Sequence, residues 1–341
     1  QMTYNKVNDI LDKGIIDEAY QPFADDLRTM RYVSDLLRQR MVKRGYIEFH
    51  SNEAKIIVDD AGKPVDIRLR SEGTGENMIE NFMVAANETV ASSIFYQQLP
   101  GIYRVHSKPD EKRLNSFFCF LASRGYKVNG KKKNITARDL QNVLKQLEDK
   151  PDAKILNDLA IRSQAKAVYS DTNIGHFGLG SKCYAHFTSP IRRYPDLAIH
   201  RIITDILAGY NNEWLNKRYS GFAMNSAERS SDAEIRAITI ERECEDCYKA
   251  EYMKSHIGET FTARISGVTE FGFYVQLPDT VEGLVHIRTL PEGEYDYSEP
   301  VSLTERFSGV SYTLGQTVQV ICSAVNVSDG IIDFVLDDDE D

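Results

Sequence analysis

The chain has 341 residues, of which 42% are hydrophobic and 27% are charged, with a formal net charge of −10 and five cysteines. This length predicts two or more domains, and the apolar fraction is enough for a sizeable core without disulfides. Because the sequence shows no secretory signal and no long apolar run, and because its cysteines are odd in number and scattered, we expect a soluble, cytoplasmic protein that does not bind membranes.

The negative net charge argues against indiscriminate nucleic-acid binding, but the charge is unevenly distributed. Residues 257–341 contain 16 acidic and three basic side chains, a net charge of −13, which leaves +3 for residues 1–256. Any positive surface that attracts phosphates is therefore expected as a local patch in residues 1–256.

Residues 1–256 predict a helix-rich region with a minor sheet. Gly14 is expected to end a first short helix over residues 2–14, and a long amphipathic helix follows over 22–44. Further helices are predicted at 76–98, 110–125, 137–147, 151–169, 192–209 and 213–255, and short strands at Tyr46–Phe49, Lys55–Val58, Val65–Leu69 and Ile102–His106.

The central block joins a glycine-rich stretch, 175–180, to a segment rich in arginine, tyrosine and histidine, 183–196. Apolar residues at helical spacing after Pro190 make Ser189 a candidate N-cap, with Pro190 at the first helical position. Arg192 and Arg193 would then lie in the first turn, where cations oppose the helix dipole. An anionic partner would explain them, and so would pairing with nearby carboxylates.

Residues 257–336 contain five short β runs at Thr260–Val268, Gly272–Leu277, Glu282–Ile287, Gln316–Ala324 and Ile331–Leu336. This count favours a closed or nearly closed antiparallel barrel of the OB type. GVTEFGFYV, residues 267–275, and EGLVHI, residues 282–287, resemble the S1-type RNA-binding barrel. This resemblance implies that Phe271, Phe273 and His286 project onto one face and stack on bases, unless one of the phenylalanines belongs to the core. The acidic balance should weaken such binding. Residues 337–341 are interpreted as a solvated acidic tail.

Two short motifs have structural explanations that we prefer. Asp59-Asp60 suggests metal ligands, but aspartate and glycine in a hairpin turn are explained by the turn itself. Cys244 and Cys247 match C-x-x-C, yet they lie in a long helical pattern with no second cysteine pair, which disfavours a zinc or redox site.

The string HFGLGSKCYAHFTSPIRRYPDLAIHR, residues 176–201, strongly resembles the signature of the ribonuclease II (RNB) family of exoribonucleases. Together with the S1-type resemblance, this similarity implies an α+β fold: the helix-rich later half of an RNB catalytic domain over 1–256, an S1-type OB-fold barrel over 257–336, and a tail over 337–341. It implies an enzyme that shortens single-stranded RNA from its 3′ end and releases nucleoside 5′-monophosphates.

The resemblance also assigns roles to individual residues. Tyr4 falls at the tyrosine that stacks on the base near the RNA 3′ end, and Glu80 at the glutamate that closes the other side of that clamp. Arg192 falls at the arginine regarded as catalytic, which steadies the scissile phosphate. The remaining family positions are expected to line the RNA channel: His106, His176, Tyr184, Ser189 and Arg193.

The family performs two-metal hydrolysis with Mg²⁺ ions held by an aspartate-rich motif that precedes its Met-Thr-Tyr segment. This sequence begins at that segment, and it offers no equivalent group of carboxylates, which Mg²⁺ requires as ligands. We therefore expect no metal ligands in this chain, no activity from the chain alone, and the missing half of the catalytic domain as a partner besides RNA. The alternative is a non-catalytic RNA-binding module whose function lies in the barrel.

Overall fold

A computed structural model describes residues 2–48, 53–127, 134–150, 153–298 and 301–337. The chain forms two compact units. The first comprises Gln1–Phe49, Ser71–Asp149 and Leu159–Ile235, and the second His50–Arg70, Lys150–Asp158 and Arg236–Asp341. The domain boundary expected after residue 256 remains a prediction.

The helices of the described residues agree closely with the predicted ones. They are α1 (Tyr4–Asn8), α2 (Ala24–Arg44), α3 (Thr74–Tyr96), α4 (Glu111–Ser123), α5 (Ala137–Lys145), α6 (Ala153–Arg162), α7 (Tyr194–Leu207) and α8 (Asn212–Met253). Gly14 and Gly45 have positive φ angles of 70° and 104° and follow the last turns of the first two helical segments. The predicted stop at Gly14 is confirmed, because glycine adopts this left-handed conformation without steric cost.

Helix α3 contributes to three apolar clusters among the described residues of the first unit. Met78 packs with residues of α1 and α2, and Val84 packs with Met41 and Tyr184. Ala91 and Ile94 belong to a third cluster, which also includes buried residues of α7 and α8. One face of α3 therefore positions the elements on which the candidate site is built.

Two local predictions before residue 170 are wrong. The helix predicted over 151–169 is helical only as α6, and residues 168–170 instead form strand β4 (Val168–Ser170), which pairs antiparallel with β3 (Tyr103–Val105). Residues 46–48 form no strand, although Ile47 N–H donates to the Gly178 carbonyl at 2.8 Å. Phe49, the last residue of that predicted strand, lies outside the described residues.

The second unit contains a hairpin, a closed barrel and a small sheet. Strands β1 (Ala54–Val58) and β2 (Pro64–Leu69) form the hairpin. Asp59 Oδ1 accepts the Ala61 and Lys63 amides, each at 2.9 Å, so Asp59 stabilises the hairpin turn as predicted.

The five predicted β runs of the barrel are confirmed as β5 (Thr260–Thr269), β6 (Gly272–Gln276), β7 (Glu282–His286), β11 (Thr317–Asn326) and β12 (Ile331–Leu336). They close in the order β11-β12-β7-β6-β5, with β12 and β7 parallel. A three-stranded sheet that the sequence reading missed lies between β7 and β11 in the chain: β8 (Tyr295–Ser298), β9 (Ser302–Glu305) and β10 (Ser311–Thr313).

No helix among the described residues is long and apolar enough to cross a membrane.

Candidate functional site

The segment that carries the two arginines is braced by a buried carboxylate. Asp196 is 0% exposed; its Oδ1 accepts the Ser189 amide at 2.8 Å, and its two oxygens accept Arg193 Nη2 at 2.7 Å and Nε at 3.0 Å. The Arg193 amide also donates to the Ser189 carbonyl at 3.0 Å. Residues 189–193 therefore form a separate turn that Asp196 holds in place.

This turn corrects the predicted start of the helix. Helix α7 begins at Tyr194, with Arg193 as N-cap and Pro195 in its first turn, and neither Ser189 nor Pro190 caps it. Asp196 lies in the first turn of α7, where its negative charge interacts favourably with the positive end of the helix dipole. Arg192 is exposed and has no ion pair with any described residue, whereas Arg193 is paired. The two arginines thus have different environments.

A row of aromatic and imidazole rings runs through the first unit behind this turn. Neighbouring rings meet edge to face with centroid separations of 5.0–5.7 Å, in the order His106, His176, Tyr184, His186, Tyr169. The Tyr169 hydroxyl and His186 Nδ1 share a hydrogen bond of 2.8 Å. Asn87 of α3 fixes the middle of the row, because its Nδ2 donates to the Tyr184 hydroxyl at 3.0 Å and its Oδ1 accepts the Phe187 amide at 2.9 Å.

Burial controls the charge of these histidines. Burial, together with the positive charges of Arg193 and Arg104, lowers the pKa of His186 to about 3. Burial and the neighbouring His106 and Arg104 likewise lower the pKa of His176 to about 3. Burial also lowers the pKa of His106, whose Nδ1 accepts the Gly178 amide at 3.0 Å. These rings are therefore neutral at pH 7.

The lowered histidine pKa values predict that stability falls in mild acid. An unfolded histidine takes up a proton near pH 6.5, whereas the folded chain resists protonation of His176 and His186 until about pH 3. Stability is thus complete above pH 6.5 and declines as the pH falls toward 3, by about 1 kcal/mol for each histidine between pH 7 and pH 5.5. Urea unfolding at both pH values measures this loss.

The variant His186→Gln is the control for this prediction. It removes one titrating ring, so its stability should depend less steeply on pH than that of the parent chain. Equal stability of the parent chain at pH 7 and pH 5.5 would contradict the prediction.

Glu80 and Tyr4 occupy different parts of the same helical scaffold. Glu80 is exposed on α3, and its Oε1 accepts the Tyr46 hydroxyl at 3.4 Å. Tyr4 is 47% exposed and lines an apolar cavity of about 690 Å³ beside the first turns of α3. This cavity is also lined by Phe23, Met30 and Ile79.

Some residues of the first unit that were predicted to contact RNA are not accessible at its surface. Tyr184 and His106 are buried, at 7% and 8% exposure, so they support the site from beneath. His106 and His176 line a second cavity of about 750 Å³, whose lining includes none of Tyr184, Ser189, Arg192 and Arg193. Sequence reasoning also missed Asn87 and Tyr46. The available signal for Asn87 was a polar side chain in a mostly apolar stretch of the predicted helix.

In the barrel, the predicted aromatic face needs one correction. Phe273 is 0% exposed, and its ring stacks on that of Tyr312 at 5.0 Å, so it belongs to the core and cannot stack on a base. Phe271 is 47% exposed, in the turn before β6. The ring of Tyr274 meets that of Phe271 edge to face at 6.4 Å.

Strand register explains which side chains share the outer face. Gly272 pairs with His286 and Tyr274 with Leu284, so Tyr274 and His286 are diagonal neighbours across the two strands. Phe273 and Val275 alternate with them and point into the barrel, where both are fully buried. The alternation of Phe273, Val275 and Leu277 with Tyr274 and Gln276 was the sequence signal for this assignment. The outer aromatic face is therefore Phe271, Tyr274 and His286.

The described residues do not fit a divalent metal site. They contain no group of three or more histidine, cysteine, aspartate or glutamate side chains that could hold a metal ion. Close to the arginines, the Asp196 carboxylate is already used by Arg193 and the Ser189 amide. Mg²⁺ requires several converging oxygen ligands, so no catalytic step can be assigned to a metal held by these residues.

The RNB domain family matches residues 1–209, and the S1 RNA binding domain family matches residues 254–334. Ribonuclease R 1 of Lactococcus lactis is 40% identical over 337 residues, which are 98% of this chain and 41% of that protein. Ribonuclease R of Aquifex aeolicus is 36% identical over 344 residues, 98% of this chain and 48% of that protein. The chain thus spans about half the length of the curated relatives it matches.

A solved structure supports the same relationship. Mycoplasma genitalium RNase R in complex with ribose methylated single-stranded RNA superposes with a TM-score of 0.92 at 29% sequence identity. The match covers 98% of this chain and 52% of that chain. The folds of the helix-rich region and of the barrel are therefore both found in that structure.

Proposed function

This chain belongs to the RNB domain family, and from that membership we propose that it acts within a 3′→5′ exoribonuclease of the ribonuclease R type. The reaction is processive hydrolysis of single-stranded RNA to nucleoside 5′-monophosphates. The observation that carries the proposal is Arg192, which is exposed and has no ion pair with any described residue, on a turn that the buried Asp196 holds in place. An exposed guanidinium on a turn that is held in place is suited to bind a phosphate.

Arg192 is the catalytic residue of this proposal. Its guanidinium donates hydrogen bonds to the scissile phosphate, where negative charge develops in the transition state. Arg193 has a different role, because its guanidinium is bound to Asp196 at 2.7 and 3.0 Å. We assign Arg193 as a positioning residue that sets the direction of Arg192.

The 3′-terminal nucleotide is held by Tyr4 and Glu80. The apolar cavity at Tyr4 offers ring and methionine surfaces against which a base can stack. Glu80 stands on α3, one residue after Ile79 of that cavity, and its carboxylate can accept hydrogen bonds from a ribose. The Mg²⁺ ions of the two-metal reaction are held by carboxylates outside the described residues of this chain.

An RNA-shortening assay tests the proposal. The purified chain and a longer protein, in which it is joined to the preceding part of Lactococcus lactis ribonuclease R 1, are incubated with 5′-labelled single-stranded RNA and Mg²⁺, with EDTA as control. We expect RNA binding by both proteins, and stepwise, EDTA-sensitive shortening only by the longer one. Shortening by the chain alone would show that it holds its own metal ions.

A non-catalytic RNA-binding module is the second candidate. It is favoured by the lack of a metal-binding group among the described residues. The same assay separates the two candidates, because a binding module predicts that the longer protein binds RNA without shortening it.

The barrel is proposed to bind RNA through the outer aromatic face. Phe271→Ala and Tyr274→Ala are each expected to weaken RNA binding by about 1–3 kcal/mol, because each removes a ring on which a base stacks. Fluorescence anisotropy with labelled single-stranded RNA measures the loss.

Phe273→Ala is the contrasting variant. It empties a fully buried site, so it should cost about 3–5 kcal/mol of barrel stability. If the Phe271 and Tyr274 variants bind RNA as tightly as the parent, the barrel does not bind RNA through this face.

A further inference from the structure

The cavity lined by His106 and His176 has a strongly positive lining. Five cationic side chains line it: Lys43, Arg44, Lys108, Arg138 and Lys182. No aspartate or glutamate is found among its described lining residues. We refer to it as the cationic cavity. Its volume of about 750 Å³ is within the range of small-molecule sites in proteins.

Most of this positive charge is not neutralised within the described chain. Arg44 is paired with Glu88, at 2.8 Å between Nη1 and Oε2. Lys43, Lys108 and Lys182 are exposed and make no ion pair with any described residue. Arg138 donates to the Lys43 carbonyl, which leaves its charge uncompensated. Four cations therefore converge on one concavity without a matching anion, which favours an anionic ligand.

The backbone around the cavity is held by close contacts. A Cβ on Gly45 would lie 2.7 Å from the Arg138 nitrogen, and one on Gly180 would lie 2.9 Å from the Arg44 carbonyl oxygen. Gln141 Nε2 donates to the Tyr46 carbonyl at 2.6 Å. These contacts hold the end of α2 against the start of α5 and the glycine-rich loop. The backbone segments that carry the cationic side chains are therefore closely packed against one another.

The start of α5 also borders the cavity. Thr136, Ala137 and Arg138 line the cavity at the amino end of this nine-residue helix. This end is capped, because Thr136 Oγ1 accepts the Asp139 amide at 3.2 Å and Asp139 Oδ2 accepts the Thr136 amide at 2.9 Å. The positive potential of the cavity therefore comes from its cationic side chains and not from the helix end. Besides the cations, Ile174 and Phe177 give the cavity an apolar wall against which a ring can lie.

We propose that the cationic cavity binds a phosphomonoester dianion, supplied either as inorganic phosphate or as a nucleoside 5′-monophosphate. The phosphate contacts Lys108, Lys182 and Arg138, and a nucleoside, where present, lies against Phe177. The inference does not depend on the proposed nuclease function, because it rests on the charge and shape of this cavity alone.

Calorimetric titration of the full chain with adenosine 5′-monophosphate, inorganic phosphate and adenosine tests the proposal. The charged ligands are expected to bind saturably and more weakly as salt is raised, and adenosine is expected not to bind. Lys108→Glu with Lys182→Glu should weaken binding of the charged ligands at least about tenfold. The matched control, Lys112→Glu with Lys145→Glu, changes the net charge equally at exposed positions outside the cavity and should retain affinity.

The ligands also identify the source of the phosphate. Tighter binding of the nucleotide than of phosphate identifies a nucleoside monophosphate as the ligand, and equal affinity identifies free phosphate. Circular dichroism verifies folding, and Lys108→Gln with Lys182→Gln replaces the double glutamate variant if that variant unfolds.

Three results would overturn the proposal. They are absence of saturable binding of both charged ligands, equal loss of affinity in the cavity and control variants, and adenosine binding as tight as that of its monophosphate. If only single-stranded RNA binds, and the cavity variant weakens it, the cavity is part of an RNA path instead.

Discussion

Arg192→Ala is expected to lower turnover about 10²–10³-fold in the longer, active protein, with a much smaller change in KM. The reason is that the guanidinium interacts more strongly with the charge of the transition state than with the bound substrate. Arg192 is exposed and unpaired among the described residues, so its loss should not disturb the fold. Steady-state kinetics on a single-stranded oligonucleotide, with kcat and KM determined separately, measure the effect.

Arg201→Ala is the matched control for this prediction. Arg201 is also exposed, on α7, and its guanidinium lies 5.9 Å from the centre of the Tyr194 ring. The control removes the same charge close to the site and should change turnover little. An effect of Arg192→Ala on KM alone would reassign Arg192 to substrate holding.

Asp196→Ala is expected to destabilise the chain by about 3–5 kcal/mol. The substitution leaves Arg193, whose side chain is only 22% exposed, without its carboxylate, and it removes the acceptor of the Ser189 amide. Loss of one partner of a buried ion pair is costly because the remaining charge stays away from water. Urea unfolding followed by circular dichroism measures the loss.

Asp25→Ala is the control for the buried pair. The side chain of Asp25 is 95% exposed, and its ion pair with Arg28 is at the surface, so its removal should cost less than about 1 kcal/mol. A cost for Asp196→Ala no larger than that for Asp25→Ala would mean that the 189–193 turn is held by other contacts.

Several features of this chain were determined by the sequence itself. The five barrel strands were predicted because alternation and turn residues are local signals, and α2 and the first helical segment were found from periodicity and a glycine stop. The similarity of residues 176–201 to the RNB family was also readable, since a long contiguous motif needs no three-dimensional information.

Tertiary contacts determined the secondary structure at positions where local patterns gave the wrong prediction. The start of α7 was misplaced because the Asp196 carboxylate, seven residues after Ser189, holds the preceding turn out of the helix. Residues 168–170 form a strand and not the predicted helix, because they pair with β3, which lies more than 60 residues earlier in the chain. Such pairings depend on the path of the chain and not on local propensity.

Tertiary structure also decided which side chains meet at the candidate site. Phe271 and Phe273 would share a face only if the strand already included Phe271. The strand β6 begins at Gly272, which has a φ of 141°, and Phe271 therefore lies in the preceding turn. The cationic cavity joins side chains from the end of α2, the start of α5 and the glycine-rich loop. Sequence determined which elements form, because periodicity and turn chemistry act over a few residues; packing determined which side chains meet, because burial and ion pairing act between segments that are distant in the chain.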